Sequence, residues 1–111
     1  MMPQDLPTTS VDQVPVDAVL LDVREQDEWD AGHAPQAIHI PLGELAERVG
    51  EVPQDSGEVY VVCRMGGRSA RAAMYLNQSG WDAVNVAGGM QVWHQQGFPL
   101  VAAEGVVPEV I

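Results

Sequence analysis

The sequence contains no lysine and only one cysteine, Cys63, among its 111 residues. Its five cations are all arginines, whereas 16 acidic residues bring the formal net charge to −11. So negative a surface repels phosphate backbones, and we therefore expect no nucleic-acid partner. A single cysteine also excludes an internal disulfide bond and a zinc site built on several cysteines. The spacing of the three histidines matches no set of metal ligands, so we predict no metal.

Long apolar runs are also missing. No stretch approaches the ~20 apolar residues of a membrane-spanning helix, and residues 1–10 lack the basic and apolar regions of a signal peptide. We therefore expect no membrane association and a cytoplasmic location. What the chain does have is a 46% share of hydrophobic residues, which is enough to build one packed core. We expect a single domain over residues 1–111.

Short β-branched runs alternate with stretches of helical periodicity along the chain. Strands are predicted at 18–22, 37–40, 59–62 and 83–86, and helices at 25–31, 42–49, 68–79 and 90–96. This alternation indicates an α/β fold, with parallel strands in one sheet and helices on both of its faces. The apolar run at 59–62 is typical of a central strand, and the 68–79 pattern turns Tyr75 inward. The apolar C-terminal extension, residues 100–111, is expected to dock on the domain or to pair with a second copy.

The candidate reactive residue is Cys63, which directly follows the predicted central strand. In an open parallel sheet, ligands bind at this carboxyl edge of the strands. Gly66 and Gly67 come next, and both are expected to take positive φ angles that turn the N–H groups of the loop inward. A helix begins near Arg68 and directs its positive dipole end to the same place. The loop is therefore predicted to bind an anion.

These features favour a thiolate at Cys63. Full charges on Arg64 and Arg68 add to the backbone N–H groups and the helix dipole, so we expect the pKa of Cys63 to lie below its ordinary ~8.5. The same loop would hold a persulfide anion or an incoming oxyanion. Met65 also lies in the loop, and we expect it to line the mouth of the pocket and to help select the acceptor.

Three stretches of the sequence, in order and suitably spaced, resemble the single-domain rhodanese-like sulfurtransferases. The loop at 63–69 (CRMGGRS) is similar to the active-site loop of that family. The segment 21–41, with LDVRE, EW, GHA and IP, is similar to its N-terminal signature. The segment 80–93, with GW and GGM, is similar to its C-terminal signature. The resemblance covers residues 8–99, which we take as the core of the domain, and it departs at Gln36, where the family commonly has glycine.

The resemblance implies a three-layer α/β/α domain with a central parallel sheet of about five strands. It also implies a thiosulfate sulfurtransferase, in which the Cys63 thiolate takes the outer sulfur of a small anionic donor such as thiosulfate. The resulting persulfide then gives the sulfur to a thiol or to cyanide. This mechanism needs no cofactor. The substrate-binding residues are those that follow Cys63 in the loop: Arg64, Met65, Gly66, Gly67, Arg68 and Ser69.

Two other functions stay open from the sequence. One is a cysteine phosphatase or an arsenate reductase. The enzymes of that kind that resemble rhodaneses have five residues between cysteine and arginine, whereas only four lie between Cys63 and Arg68. The other is a persulfide carrier or protein-binding module that serves a sulfur-relay partner without small-molecule turnover. For Asp22, Arg24 and His33 we expect structural roles, and for the three tryptophans packing roles.

Overall fold

The computed structural model describes residues 6–55 and 57–111. Within that part of the chain, one sheet has five parallel strands, in the spatial order β1-β5-β4-β2-β3. The strands are β1 (Thr8–Ser10), β2 (Val19–Asp22), β3 (Ile38–His39), β4 (Val59–Val62) and β5 (Ala83–Ala87). The helices are α1 (Gln26–Ala31), α2 (Leu45–Arg48), α3 (Gly67–Gln78) and α4 (Gly89–Gln95). The predicted α/β fold, with its parallel sheet of five strands, is confirmed.

The two faces of the sheet carry separate cores, because neighbouring residues of a strand point to opposite sides. In β4, Val59 and Val61 belong to the core that includes apolar residues of α2 and α3. Tyr60 and Val62 belong to the other core, which includes apolar residues of α4. All four side chains are buried. The predicted position of β4 as a central strand covered on both faces is therefore confirmed, and Cys63 follows it directly.

Three local predictions were wrong or incomplete. The sequence did not indicate β1, which lies in a polar, proline-containing stretch and is defined by its pairing with β5. The predicted helix at 42–49 is a single α-turn, α2, between two short 3-10 turns, Leu42–Glu44 and Val49–Glu51. Tyr75, predicted inward, is 37% exposed, because smaller side chains of α3 fill the space against the sheet.

The segment after α4 runs back across the domain. Val101 forms an antiparallel bridge with His33, and the Glu109 N–H donates to the Ala31 carbonyl at 2.9 Å. The backbone of Glu109 lies so close to Gly32 that a side chain at Gly32 would collide with it. Val110 packs against the core on the α4 side. The C-terminal segment therefore packs against its own domain. Among the described residues, no helix is long and apolar enough to cross a membrane.

Candidate active site

Cys63 lies at the carboxyl end of β4 and is 1% exposed. The first turn of α4 holds its peptide group in place: the Met90 N–H donates to the Cys63 carbonyl at 2.8 Å, and the Gln91 N–H donates to the Arg64 carbonyl at 3.0 Å. Gly89 lies against these same carbonyls, and there is no room for a side chain at that position. The start of α4 thus fixes the backbone from which the Cys63 thiol projects.

Hydrogen-bond donors of the loop point at the sulfur. The Gly66 N–H donates to Cys63 Sγ at 3.0 Å, and Ser69 Oγ lies 3.3 Å from it. Gly66 has a φ of 122°, a conformation that glycine adopts far more readily than other residues. Gly67 begins α3 and has no positive φ. The prediction of a positive φ was therefore wrong for Gly67, which already has the backbone angles of α3.

These donors also determine the acidity of the thiol. Burial raises the pKa of Cys63, but hydrogen bonds from Ser69 Oγ and from the N–H groups of Ser69, Gly66 and Met65 outweigh burial and hold the pKa below its ordinary value. The direction agrees with the expectation from the sequence. The main cause differs from that expectation, because short-range hydrogen bonds are the largest favourable contributions to the shift, whereas Arg68 and the thiolate interact only by a weaker attraction between charges.

Asn85 belongs to this site, although the sequence did not single it out. It is a buried polar residue in β5, and its Oδ1 lies 2.6 Å from Ser69 Oγ. Ser69 Oγ is also 3.2 Å from the Gly66 carbonyl. The contact with Asn85 holds Ser69 Oγ beside the sulfur, and its single hydroxyl proton is shared among Asn85 Oδ1, the Gly66 carbonyl and Cys63 Sγ. A polar residue inside the apolar run of β5 was the available signal, since a buried amide needs hydrogen-bond partners.

The two arginines of the loop contact other protein groups. Arg68 donates from Nη1 and Nη2 to the two carboxylate oxygens of Glu28, at 2.7 and 2.9 Å. This pair raises the pKa of Arg68 and lowers the pKa of Glu28. Arg64 donates from Nε to the Ile111 carbonyl at 2.8 Å and from Nη1 to Gln91 Oε1 at 3.1 Å. These contacts hold both guanidinium groups in place, and we call their positions the rim of the loop.

Met65 is the exposed apolar residue of the loop. Its side chain is 62% exposed, and it directly precedes Gly66. Of the six predicted substrate-binding residues, Gly66 contacts the sulfur through its N–H and Ser69 contacts it through its hydroxyl. The Met65 N–H helps to lower the pKa of Cys63. Gly67 opens α3, while Arg64 and Arg68 lie at the rim. The loop therefore separates into an inner group at the sulfur and an outer group of charged side chains.

A buried ion pair supports the strand end next to Cys63. Arg24 and Asp22 are both fully buried, and Arg24 Nη2 lies 2.8 Å from Asp22 Oδ2. The same Nη2 donates to the Gly32 carbonyl at 2.8 Å. Arg24 thereby ties the end of β2 to the turn that follows α1. Because α1 carries Glu28, this tie also helps to position the partner of Arg68.

Aromatic stacking fixes the other side of α1. The Trp29 ring stacks on His33 with a centroid distance of 3.5 Å and on His39 with a centroid distance of 4.6 Å, nearly parallel in both cases. His33 Nδ1 lies 2.9 Å from the Trp29 carbonyl. His33 therefore packs on the helix, as expected from the sequence. Within residues 6–55 and 57–111, no three His, Cys, Asp or Glu side chains are grouped so that they could hold a metal ion.

Comparison with known proteins places this geometry in a family. The model of the Rhodanese-like domain matches residues 8–96. A sulfurtransferase of Allochromatium vinosum is 39% identical over 90 residues, which are 80% of this chain and 83% of that protein. The provisionally named sulfur carrier protein YrkF of Bacillus subtilis is 41% identical over 75 residues, which are 67% of this chain and 40% of that protein.

A solved structure agrees with this assignment. A rhodanese-related protein from Thermoplasma volcanium is similar to this chain with a TM-score of 0.72 and 39% sequence identity, over 76% of this chain and 83% of that one. The resemblance stated from the three sequence stretches is thus confirmed by both the family model and the fold. The chain belongs to the family of rhodanese-like domains.

Proposed function

We propose that this protein transfers sulfane sulfur through a persulfide on Cys63, from a donor such as thiosulfate to a thiol or cyanide acceptor. The observation that carries the proposal is the set of hydrogen-bond donors around Cys63 Sγ, which favours the thiolate in a buried position. A thiolate is the reactive form of cysteine. The similarity to a sulfurtransferase of Allochromatium vinosum supports the same chemistry.

The transfer takes two displacement steps. In the first, the Cys63 thiolate attacks the outer sulfur of thiosulfate, the S–S bond of the donor breaks, and sulfite leaves with the electron pair. In the second, an acceptor thiolate or cyanide attacks the outer sulfur of the persulfide, and Cys63 leaves as a thiolate. Each step exchanges one bond to sulfur for another, so no oxidant or reductant is consumed. This is covalent catalysis with a cysteine nucleophile.

The loop residues receive distinct roles in this proposal. The backbone N–H groups from Arg64 to Ser69 stabilise the negative charge on the transferred sulfur, as donors do in an oxyanion hole. Arg64 and Arg68 contribute positive charge at the rim. Met65, whose side chain is exposed next to Gly66 in the loop, contacts the acceptor.

A second candidate function is that of a persulfide carrier that delivers sulfur to a partner protein. The similarity to the provisionally named sulfur carrier protein of Bacillus subtilis favours it. A carrier would form the same Cys63 persulfide but would release its sulfur slowly to small acceptors. In that case the physiological acceptor is a sulfur-relay protein, and Met65 belongs to the surface that it contacts.

Steady-state assays with several acceptors separate the two functions. The protein is given thiosulfate or an organic persulfide together with cyanide, glutathione or dithiothreitol, and the products are quantified per mole of Cys63. Many turnovers with a small acceptor support the enzyme, and a single turnover supports the carrier. An aryl phosphate serves as the control substrate. Turnover of the phosphate without any sulfur transfer would contradict both functions.

A further inference from the structure

Both arginines of the loop have protein partners, but only the partner of Arg68 carries a negative charge. The guanidinium of Arg68 makes two charge-assisted hydrogen bonds to the carboxylate of Glu28. Arg64 is directed to the Ile111 carbonyl and to the Gln91 side chain. A cation that is neutralised by a neighbouring carboxylate attracts a second anion weakly. The loop therefore presents less positive charge than its sequence indicates.

Glu28 is held firmly in its position beside the loop. Its side chain is 13% exposed and that of Arg68 is 34% exposed, so the pair is partly shielded from water. Charges interact more strongly in such a shielded position than in bulk solvent. Glu28 also accepts a hydrogen bond from the Glu25 N–H in a capping box at the start of α1. The next residue, Trp29, stacks on two imidazole rings. Glu28 is thus a fixed negative charge at the rim of the active site.

The other charges near Arg68 do not restore a positive site. Glu25 and the Cys63 thiolate both attract Arg68. Arg71 lies three residues further along α3 and lines, with Glu25 and Arg68, an open groove of about 480 Å³. The two carboxylates therefore balance the two arginines of α3. A thiolate at Cys63 then leaves this side of the site with a net negative charge.

On the basis of the proposed sulfur transfer, we infer that Glu28 makes the Cys63 site selective for sulfane-sulfur donors that carry at most one negative charge. Thiosulfate, a dianion, is then a poor donor, and an organic persulfide is a better one. With a persulfide R–S–SH, the Cys63 thiolate attacks the outer sulfur, the S–S bond of the donor breaks, and R–S⁻ leaves. The proton stays on the transferred sulfur, so the step is balanced.

A pair of matched donors isolates the effect of charge. Methanethiosulfonate differs from thiosulfate by a methyl group in place of one oxygen, and it carries one negative charge instead of two. Both donors give up their outer sulfur, releasing methanesulfinate or sulfite. The variant Glu28→Gln removes the negative charge but keeps an oxygen that can accept the hydrogen bond from the Glu25 N–H. Its matched control is Asp30→Asn, which removes the same charge from the same helix and which contacts Gln26 instead of Arg68.

We expect Glu28→Gln to raise kcat/KM for thiosulfate by about tenfold and for methanethiosulfonate by about threefold, because a charge acts twice as strongly on a dianion as on a monoanion. Asp30→Asn should change both values by less than about twofold, since an exposed charge is screened by salt. Arg68→Gln leaves Glu28 without its partner and should shift the ratio of the two donors in the opposite direction. Equal changes for both donors in Glu28→Gln, or no change, would overturn the inference.

The inference and the proposed function fail in different ways. If neither of these donors nor an organic persulfide places sulfur on Cys63 in the native chain, the proposed function is wrong. If both donors load Cys63 and their ratio is the same in the native chain, Glu28→Gln and Arg68→Gln, only the selectivity of Glu28 is wrong. Circular dichroism of each variant shows whether the fold is intact.

Discussion

The inner and outer parts of the loop differ in the groups that they contact. Inside, the Gly66 N–H and the Ser69 hydroxyl contact Cys63 Sγ directly, and neither carries a net charge. Outside, Arg64 and Arg68 carry full charges but contact Ile111, Gln91 and Glu28. The acidity of the thiol therefore depends mainly on short hydrogen bonds. In the selectivity proposed for Glu28, the charged rim determines which donors approach.

The inner and outer groups differ in their distance from the sulfur and in their exposure to solvent. A hydrogen bond to a buried thiolate acts over about 3 Å, where no water intervenes and salt has little effect. A charge at the rim acts over a longer distance, and solvent and salt weaken it. Substitutions inside the loop should therefore change the pKa of Cys63 and the rate with every donor. Substitutions at the rim should change the rate with charged donors only.

The largest expected effect is that of Cys63→Ser. A serine hydroxyl ionises far less readily than a thiol and forms no persulfide, so sulfur transfer should be abolished with every donor and acceptor. The fold should persist, because the side chains are similar in size. Steady-state assays with both donors check the activity, and circular dichroism checks the fold. Sulfur transfer at the native rate in this variant would place the reactive group elsewhere.

The next effect separates the two glycines of the loop. Gly66→Ala places a side chain at a φ of 122°, which costs ~1–3 kcal/mol of stability and displaces the N–H that points at the sulfur. Gly67→Ala is the matched control, because Gly67 is helical and has open space around it. Alanine there should be neutral or stabilising by up to ~1 kcal/mol. Chemical denaturation and transfer rates check both variants, and equal losses would contradict the assigned backbone geometry.

Ser69→Ala tests the inner hydrogen bonds. Removing the hydroxyl takes away a donor that lowers the pKa of Cys63, so this pKa should rise. At a pH below the pKa of the thiol, the thiolate fraction and the transfer rate should fall about fivefold, the equivalent of one hydrogen bond of ~1 kcal/mol. The loss should shrink as the pH rises above the pKa, because both proteins are then fully ionised. The pH dependence of iodoacetamide alkylation measures the shift directly, and an unchanged midpoint would exclude this role of Ser69.

The smallest effect on the pKa of Cys63 is expected at the rim. Arg68→Ala removes a positive charge and leaves the Glu28 carboxylate without its partner, so thiosulfate should lose about threefold more in kcat/KM than methanethiosulfonate. The alkylation midpoint of Cys63 should shift less than in Ser69→Ala. Repeating the assays at higher salt should reduce the difference between the donors. Equal losses for both donors, together with a large shift of the midpoint, would mean that Arg68 acts on the inner loop.

Much of the fold was predictable because its signals are local. The apolar run of β4, the glycines around α3 and the alternation of strands and helices each lie within a few neighbouring residues. Edge strand β1 was not predictable, since three mostly exposed residues carry little pattern and only pairing with β5 defines them. The exposure of Tyr75 was not predictable either. Helical periodicity places this residue near the face of α3 that packs on the sheet, but it does not show how much space remains there.

The site was predictable in its centre and less so around it. Cys63 and the residues that contact its sulfur from the loop are close in sequence, and their order suggested the chemistry. Asn85, Glu28 and Ile111 contact loop residues that lie 16, 40 and 47 positions away in the chain. Such contacts depend on the packing of α1, β5 and the C-terminal segment around the loop. The sequence therefore indicated the charges of Arg64 and Arg68, but it did not show what those charges bind.

Mass spectrometry of the intact protein after a short exposure to methanethiosulfonate shows whether Cys63 accepts sulfur. We expect the native chain to gain the mass of one sulfur atom, peptide mapping to locate that atom on Cys63, and a thiol to remove it. The Cys63→Ser protein should gain nothing under the same conditions. If the native chain reacts readily with iodoacetamide at Cys63 but gains no sulfur from methanethiosulfonate, thiosulfate or an organic persulfide, Cys63 is not a sulfur carrier.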